Sequence, residues 1–243
     1  MRYELYYWTG IQGRGEFVRL ALEEAGADYV DVARLPASRG GGEPALMRFL
    51  EDRTAAHRPF APPFLKAGKI VVAQTANILQ FLGPRLGLAP KGEADRFWTH
   101  QLQLTVTDFV AETHDVHHPI AGSLYYEDQK REAKRRADDF LRNRLPKFLG
   151  YFEGVLDANP KRGGYMVSGR LTYVDLSMFQ IVAGLRYAFP KAMARAERKT
   201  PGLVALHDRV AARPRIAAYL ASPRRIQFNQ WGIFRHYPEL DRK

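Results

Sequence analysis

The side chains that could do chemistry fall into three small groups, and no cysteine is among them. The first is Tyr3-Glu4-Leu5-Tyr6-Tyr7-Trp8, followed past a glycine-bearing turn by Arg14. Read without context, Tyr7 is as much a strand aromatic as a hydroxyl donor. Arg14 is as much a solvated first-turn residue as a working cation. The second is Gln74-Thr75, where a helix is expected to begin. A helix start presents unpaired N–H groups and partial positive charge, so it favours a carboxylate. Thr75 suits that role and equally that of an N-cap. The third is His114, His117 and His118. His114 and His118 are one helical turn apart, the spacing of a metal-ligand pair, but no third-ligand motif accompanies them. The zero cysteine count excludes disulfides, thiolate metal sites and a protein-supplied reactive sulfur. Any sulfur chemistry must use a thiol brought by the substrate.

The elements that position these groups can be read from pattern. Residues 3–8 are strand-like and aromatic, and alternation puts Tyr6 on the face opposite Tyr7. From Arg14 to Ala25, Phe17, Leu20, Ala21 and Ala25 recur at helical spacing, and Gly26 is a fitting stop. A second strand is predicted over Tyr29–Ala33 and a short helix over Glu43–Leu50. Pro63–Lys66 and Ile70–Val72 form a hairpin around Ala67-Gly68. Thr75–Leu82 is a helix expected to end at Gly83-Pro84. The order β-α-β, α, β-β-α is that of a thioredoxin-like α/β domain over 1–84. A Pro/Gly-containing linker over 85–93 then leads to an all-helical domain, 94–243. Its helices are predicted at Ala94–His118, Asp128–Gly150 with a disturbance at Pro146, Tyr173–Ala188 and Pro201–Arg213. Thr172-Tyr173-Val174-Asp175 is a capping box flanked by Leu171 and Leu176 as a staple, a folding signal. The aromatic tail with Phe228, Trp231, Phe234 and Tyr237 is expected to fold back over the helices.

Composition narrows the class. With 46% hydrophobic and 26% charged residues over 243 positions, the chain has the makeup of a core-forming globular protein. Charges at Glu4, Arg14, Glu16 and Arg19 interrupt any secretory apolar run, and Ile70–Pro84 is too short and polar to span a bilayer. A cytoplasmic protein without membrane contact is expected. The net charge is +11, and basic residues cluster in Lys130–Arg144, yet Glu132, Asp138 and Asp139 interrupt that run, as on a solvated helix face. No nucleic-acid-reading motif appears, so nucleic acid is not an expected partner.

The segment YELYYWTGIQGRGEFVR, residues 3–19, resembles the opening of mu-, pi- and sigma-like (tyrosine-type) glutathione transferases. PPFLKAGKIVVAQTANILQFL, residues 62–82, resembles their second hallmark, in which a proline precedes a Gln-Ser pair by eleven residues. Pro63 and Gln74 keep that spacing, with Thr75 in the serine position. The resemblance runs through most of the chain and implies the cytosolic glutathione transferase architecture, with glutathione as co-substrate and no metal.

By that resemblance, Tyr7 is the catalytic tyrosine, its hydroxyl donating to the glutathione sulfur, with Arg14 as supporting charge. Glutathione contacts are implied at Tyr7, Trp8, Pro62, Gln74 and Thr75, and at Asp108 across a homodimer interface. The glycyl carboxylate needs a cation, and Arg48, Arg53, His57 and Arg58 all lie in the right region. His114 and His118 are expected to line the pocket of a small hydrophobic electrophile. Two departures stand out. The Thr9–Gln12 loop is one residue longer than in the classes named. Pro62 precedes the proline expected to be cis, so one of the usual two backbone hydrogen bonds to glutathione is lost. The implied activity is glutathione transfer in detoxification. A glutathione-dependent isomerase or peroxidase, or a non-catalytic transferase-like ligand-binding protein, are the alternatives.

Overall fold

The computed structural model describes residues 1–241; Arg242 and Lys243, at the end of the expected helical domain, lie outside the described residues. Strand β1 (Tyr3–Tyr6) leads through a tight turn into α1 (Gly15–Ala25), which Gly26 closes in the left-handed region at φ 62°. Strand β2 (Tyr29–Asp31) pairs parallel with β1, and α2 (Glu43–Glu51) follows. β3 (Phe64–Ala67) and β4 (Ile70–Ala73) complete a sheet of order β2-β1-β3-β4, with both β1–β3 and β3–β4 antiparallel.

Alternation sorts the strand residues into two layers. Tyr3, Leu5, Leu65 and Val72 pack with Val18 and Leu22 of α1 on one face. Tyr6 and Phe64 pack with Leu46 of α2 on the other, their rings stacked at 4.6 Å. Helix α3 (Thr75–Arg85) continues past the expected stop and contains Pro84 in its last turn. At that position the missing N–H and the ring disturb little of the helix, which closes with Leu86 N–H donating to Leu82 O at 2.9 Å.

The remainder is helical: α4 (Glu93–Asp115), α5 (Lys130–Asp139), α6 (Leu145–Ala158), α7 (Tyr173–Ala188), α8 (Pro190–Ala196), α9 (Pro201–Ala211) and α10 (Pro214–Leu220). α4 ends before the predicted His118. The disturbance expected at Pro146 takes the form of a π-helical turn, Phe140–Arg144, that divides the long predicted helix into α5 and α6. The short helices α8 and α10 are absent from the pattern reading, because seven residues hold too few turns for a period to emerge. Along α5, Ala133 and Ala137 face the core. Arg136 and Arg144 pair with Glu112 of α4, and Lys130, Arg131, Lys134 and Arg135 face solvent.

α7 is the central post, its residues Val174, Leu176, Met178, Ile181 and Leu185 fully buried. Its start is held by Asp175, itself fully buried. That carboxylate accepts from Met166 N–H at 2.7 Å, Thr172 N–H at 2.7 Å and Thr172 Oγ1 at 2.9 Å.

Beyond α10 the chain runs back across the bundle. Phe228 stacks on Tyr187 at 5.0 Å, Phe234 is buried against Gly184, and Tyr237 stacks on Tyr126 at 3.8 Å. Asp241 accepts from the first amides of α8, Lys191 N–H at 2.7 Å and Ala192 N–H at 3.0 Å.

Replacing Asp175 by Ala strands two buried amides, so Asp175→Ala should lose about 3 kcal/mol of unfolding free energy in denaturant titration. Asp175→Asn, which keeps one acceptor, should lose less. A loss below about 1 kcal/mol for the alanine variant would show the box to be dispensable.

Candidate active site

Tyr7 follows directly on β1, and its ring is only 4% exposed. It lies beneath the turn that begins α1, where two glycines make room. A Cβ on Gly13 would come within 2.1 Å of the Tyr7 hydroxyl, and one on Gly15 within 2.6 Å of its ring; Gly13 also has φ +45°. The hydroxyl accepts the Arg14 N–H at 2.8 Å, which leaves its own proton free for a further acceptor. Burial pushes the phenol pKa up, opposed by the Arg14 amide and by the charges of Arg14 and Arg19. Tyr7 is therefore a donor at neutral pH. The Arg19 guanidinium lies 5.7 Å from the centroid of its ring. Tyr6 is spent elsewhere, donating to Glu4 Oε2 at 2.8 Å.

Arg14, half-buried, and Thr75 line one narrow cleft together with Phe17 of α1 and Gln103, Val106, Thr107 and Val110 of α4. Gln74 stands at φ 68°, in the left-handed region, and caps α3 by position without a side-chain bond to it. Thr75 is accordingly the first helical residue and not the N-cap. Its Oγ1 is buried with no hydrogen-bond partner among the described residues. An orphaned hydroxyl beside the unpaired amides of a helix start is what a bound carboxylate would satisfy.

The Pro62–Pro63 peptide is cis. Antiparallel pairing sets Tyr6 opposite Phe64 at the end of the ladder, and Trp8 and Pro62 each lie two residues beyond that end. Trp8 packs against the α2 side of the sheet. Arg53 and Arg58 border an open depression with Leu50, Glu51, Pro59 and Phe60, whereas Arg48 lies on α2 and His57 is exposed on the same loop.

Asp108 is not brought to the cleft within one chain. It is exposed on the outer side of α4, along the stripe that also carries Phe97, 64% exposed, and Leu104, 48% exposed. The three histidines do converge, with ring centroids 4.8 to 5.2 Å apart. Two of them are committed to main-chain carbonyls. His117 Nε2–H donates to Ile233 O at 2.8 Å, and His118 Nδ1–H donates to Leu124 O at 2.9 Å. No group of three His, Asp or Glu side chains disposed to hold a metal occurs among the described residues. His114 faces Arg14, and its pKa is lowered by burial first, with His118 and Arg14 adding to the effect. His118 is likewise lowered, by burial and then by Arg235.

Sequence reasoning missed the polar groups behind this site. Glu16, Arg19 and Gln180 are fully buried, and Gln12 and, from the tail, Arg225 are nearly so. The i,i+3 spacing of Glu16 and Arg19 was the only local sign of a pair.

A family model described as the glutathione S-transferase C-terminal domain matches residues 114–223. Over 223 residues the chain is 24% identical to the glutathione S-transferase of Plasmodium falciparum (isolate 3D7), covering 90% of this chain and 94% of that protein. In structure it is similar to a pi-class glutathione S-transferase of Onchocerca volvulus, with TM-score 0.69 and 20% identity over 90% of this chain and 92% of the other. It is equally similar to prostaglandin synthase D of Nilaparvata lugens, with TM-score 0.69 and 20% identity over 92% and 98%.

Burial lowers the pKa of His117 to about 2 from its ordinary 6.5, so the fold holds it neutral. The stabilisation is complete above pH 6.5 and is lost as pH falls below it. The wild type should shed about 2 kcal/mol between pH 6.5 and 5 from this residue. His117→Gln should show a flatter pH dependence in thermal or denaturant unfolding, and an unchanged slope would contradict the assignment.

Proposed function

Because the chain belongs to the glutathione transferase superfamily, we propose that it is a glutathione transferase in which Tyr7 stabilises the glutathione thiolate for attack on an apolar electrophile. The observation that carries this reading is the Tyr7 hydroxyl, buried, protonated and already accepting one amide, with its proton available to a sulfur. A free thiol with pKa near 8.5 is only a few per cent ionised at pH 7. Lowering that value by ~2 units takes ~2.7 kcal/mol in favour of the anion. One hydrogen bond to a charged group contributes roughly 1.5–3 kcal/mol, so a single positioned phenol supplies most of it. The Arg14 charge adds to the same field. The thiol proton leaves to solvent, the sulfur lone pair forms a C–S bond, and the leaving group departs with its electron pair.

The γ-glutamyl carboxylate is assigned to the start of α3, where Gln74 and the orphaned Thr75 hydroxyl are available. The Pro62 carbonyl accepts from the cysteinyl amide. Lacking an N–H, Pro62 returns no bond, so affinity is lower by ~1 kcal/mol than with two such bonds. Trp8, level with Pro62, flanks the same stretch of peptide. The electrophile is assigned to the space along Phe17, Val106 and Val110, with His114 and His118 at its far wall.

The active unit in this reading is a homodimer, in which Asp108 reaches the partner's glutathione amino group. The exposed Phe97 and Leu104 beside Asp108 support a contact surface there. The role is detoxification in the cytoplasm; no helix among the described residues is long and apolar enough to cross a membrane. A glutathione-dependent isomerase on the same cleft is the second reading, since the fold is shared with the prostaglandin synthase D of Nilaparvata lugens.

Turnover of glutathione with a chlorinated aromatic acceptor tests the first reading. Tyr7→Phe should lower kcat/KM about 10- to 100-fold, mostly through kcat. Thr75→Val should raise the KM for glutathione about fivefold with little change in kcat. Equal rates for wild type and Tyr7→Phe would remove the phenol from the mechanism.

A further inference from the structure

The loop that follows Tyr7 does not stand on its own contacts. Gly10 O accepts from Asn229 Nδ2 at 2.8 Å, and Gln12 Nε2 donates to Ile226 O at 2.5 Å, both partners lying in the C-terminal tail. Gln12 Oε1 in turn accepts from Gln180 Nε2 of α7 at 2.7 Å. Each nitrogen and each oxygen of this buried amide pair thus has a partner, and the chain of bonds ends on a tail side chain. Arg225 donates to Gln180 Oε1 at 3.0 Å.

Arg225 does more than close that chain. Only 8% exposed, it also donates to Glu16 Oε1, which accepts from Tyr219 Oη at 2.6 Å as well. The other Glu16 oxygen accepts from Arg19 at 3.2 Å. Arg19 donates further to Asp31 Oδ2 at 2.7 Å and lies over the Tyr7 ring. Two guanidiniums and two carboxylates balance in this cluster. Without Arg225, the cluster would hold one uncompensated buried negative charge.

We propose that Arg225 is a positioning residue for Tyr7: through Gln180 it holds Gln12 of the Thr9–Gln12 loop, and through Glu16 it keeps the charge behind the tyrosine ring balanced. The proposal rests on the transferase reading for its effect on glutathione and on the geometry alone for its effect on the loop. The charged and titratable groups around the phenol are Arg14 and His114 on the cleft side. On the buried side they are Glu16 and Arg19 of α1, Asp31 of β2 with Arg34 behind it, Tyr219 of α10 and Arg225.

The experiment compares Arg225→Gln, Arg225→Lys and the double variant Glu16→Gln/Arg225→Gln with wild type. Hydrogen exchange over residues 9–15 reports the loop, and the pH dependence of the thiolate absorbance of bound glutathione reports the charge. Arg225→Gln should speed loop exchange at least tenfold and raise the apparent pKa of the bound thiol by about half a unit, the order expected from removing one nearby charge. The double variant, neutral again, should return that pKa to the wild-type value while the loop stays fast. Arg225→Lys, which keeps the charge and the fold but loses the fork, should keep the pKa and speed exchange. A folded Arg225→Gln with wild-type exchange and wild-type thiol pKa overturns the proposal; should that variant not fold, wild-type exchange in Arg225→Lys does so. If wild type itself shows no bound thiolate, the transferase reading fails, and the exchange arm still decides whether Arg225 holds the loop.

Discussion

A single hydrogen bond, from the Arg14 backbone N–H to the Tyr7 hydroxyl, holds the phenol in place. By donating to the Tyr7 hydroxyl at 2.8 Å, Arg14 N–H occupies one acceptor position of the phenol and leaves the phenolic proton for another acceptor. The bond exists only because the chain turns back over the ring within six residues. That turn needs glycine at 13 and 15, since any side chain there would occupy the volume of the phenol. The start of α1, the end of β1 and the place of the phenol are therefore one constraint. In the proposed mechanism this constraint holds the thiolate-stabilising phenol independently of what lines the electrophile's pocket.

Around this point the molecule is built from two modules of different character. The sheet, flanked by α1 and α3 on one face and α2 on the other, is ordered by short-range alternation. The helical part is organised around α7, whose N-terminus is sealed by a buried carboxylate and whose middle reaches the loop after Tyr7 through Gln180. α1 belongs to both. Phe17, Leu20 and Ala21 pack into the helical core while Val18 and Leu22 pack under the sheet. A helix buried all round needs its polar residues paired, which is why Glu16 and Arg19 sit in a cluster instead of facing water.

What could be read from the sequence was what neighbours in sequence decide. The aromatic strand, the Gly26 stop, the hairpin at Gly68 and the bounds of Tyr173–Ala188 all follow from local patterns that the structure keeps. The α/β-plus-helical architecture follows from their order, and the structural neighbours share it. What escaped was set by distance or brevity. Pro84 sits in the last turn of α3, where its penalty is small, so a rule about helix interiors placed the end too early. The Arg225–Glu16 contact joins residues 209 positions apart, and no periodicity announces it. The same holds for the site. Gln74 and Thr75 carry a local signal, but the burial of the Thr75 hydroxyl, and the separation of Asp108 from the cleft in one chain, depend on how α3 and α4 pack.

The tail is pinned near its beginning by Arg225 and near its end by Asp241, which closes the first turn of α8. A segment fastened at both ends behaves as a closed loop, not as a fraying terminus. Its ordering entropy is spent once, in folding, and grows only slowly with added length. Insertions between the two anchors would therefore lengthen the covering of the helical bundle at little thermodynamic cost.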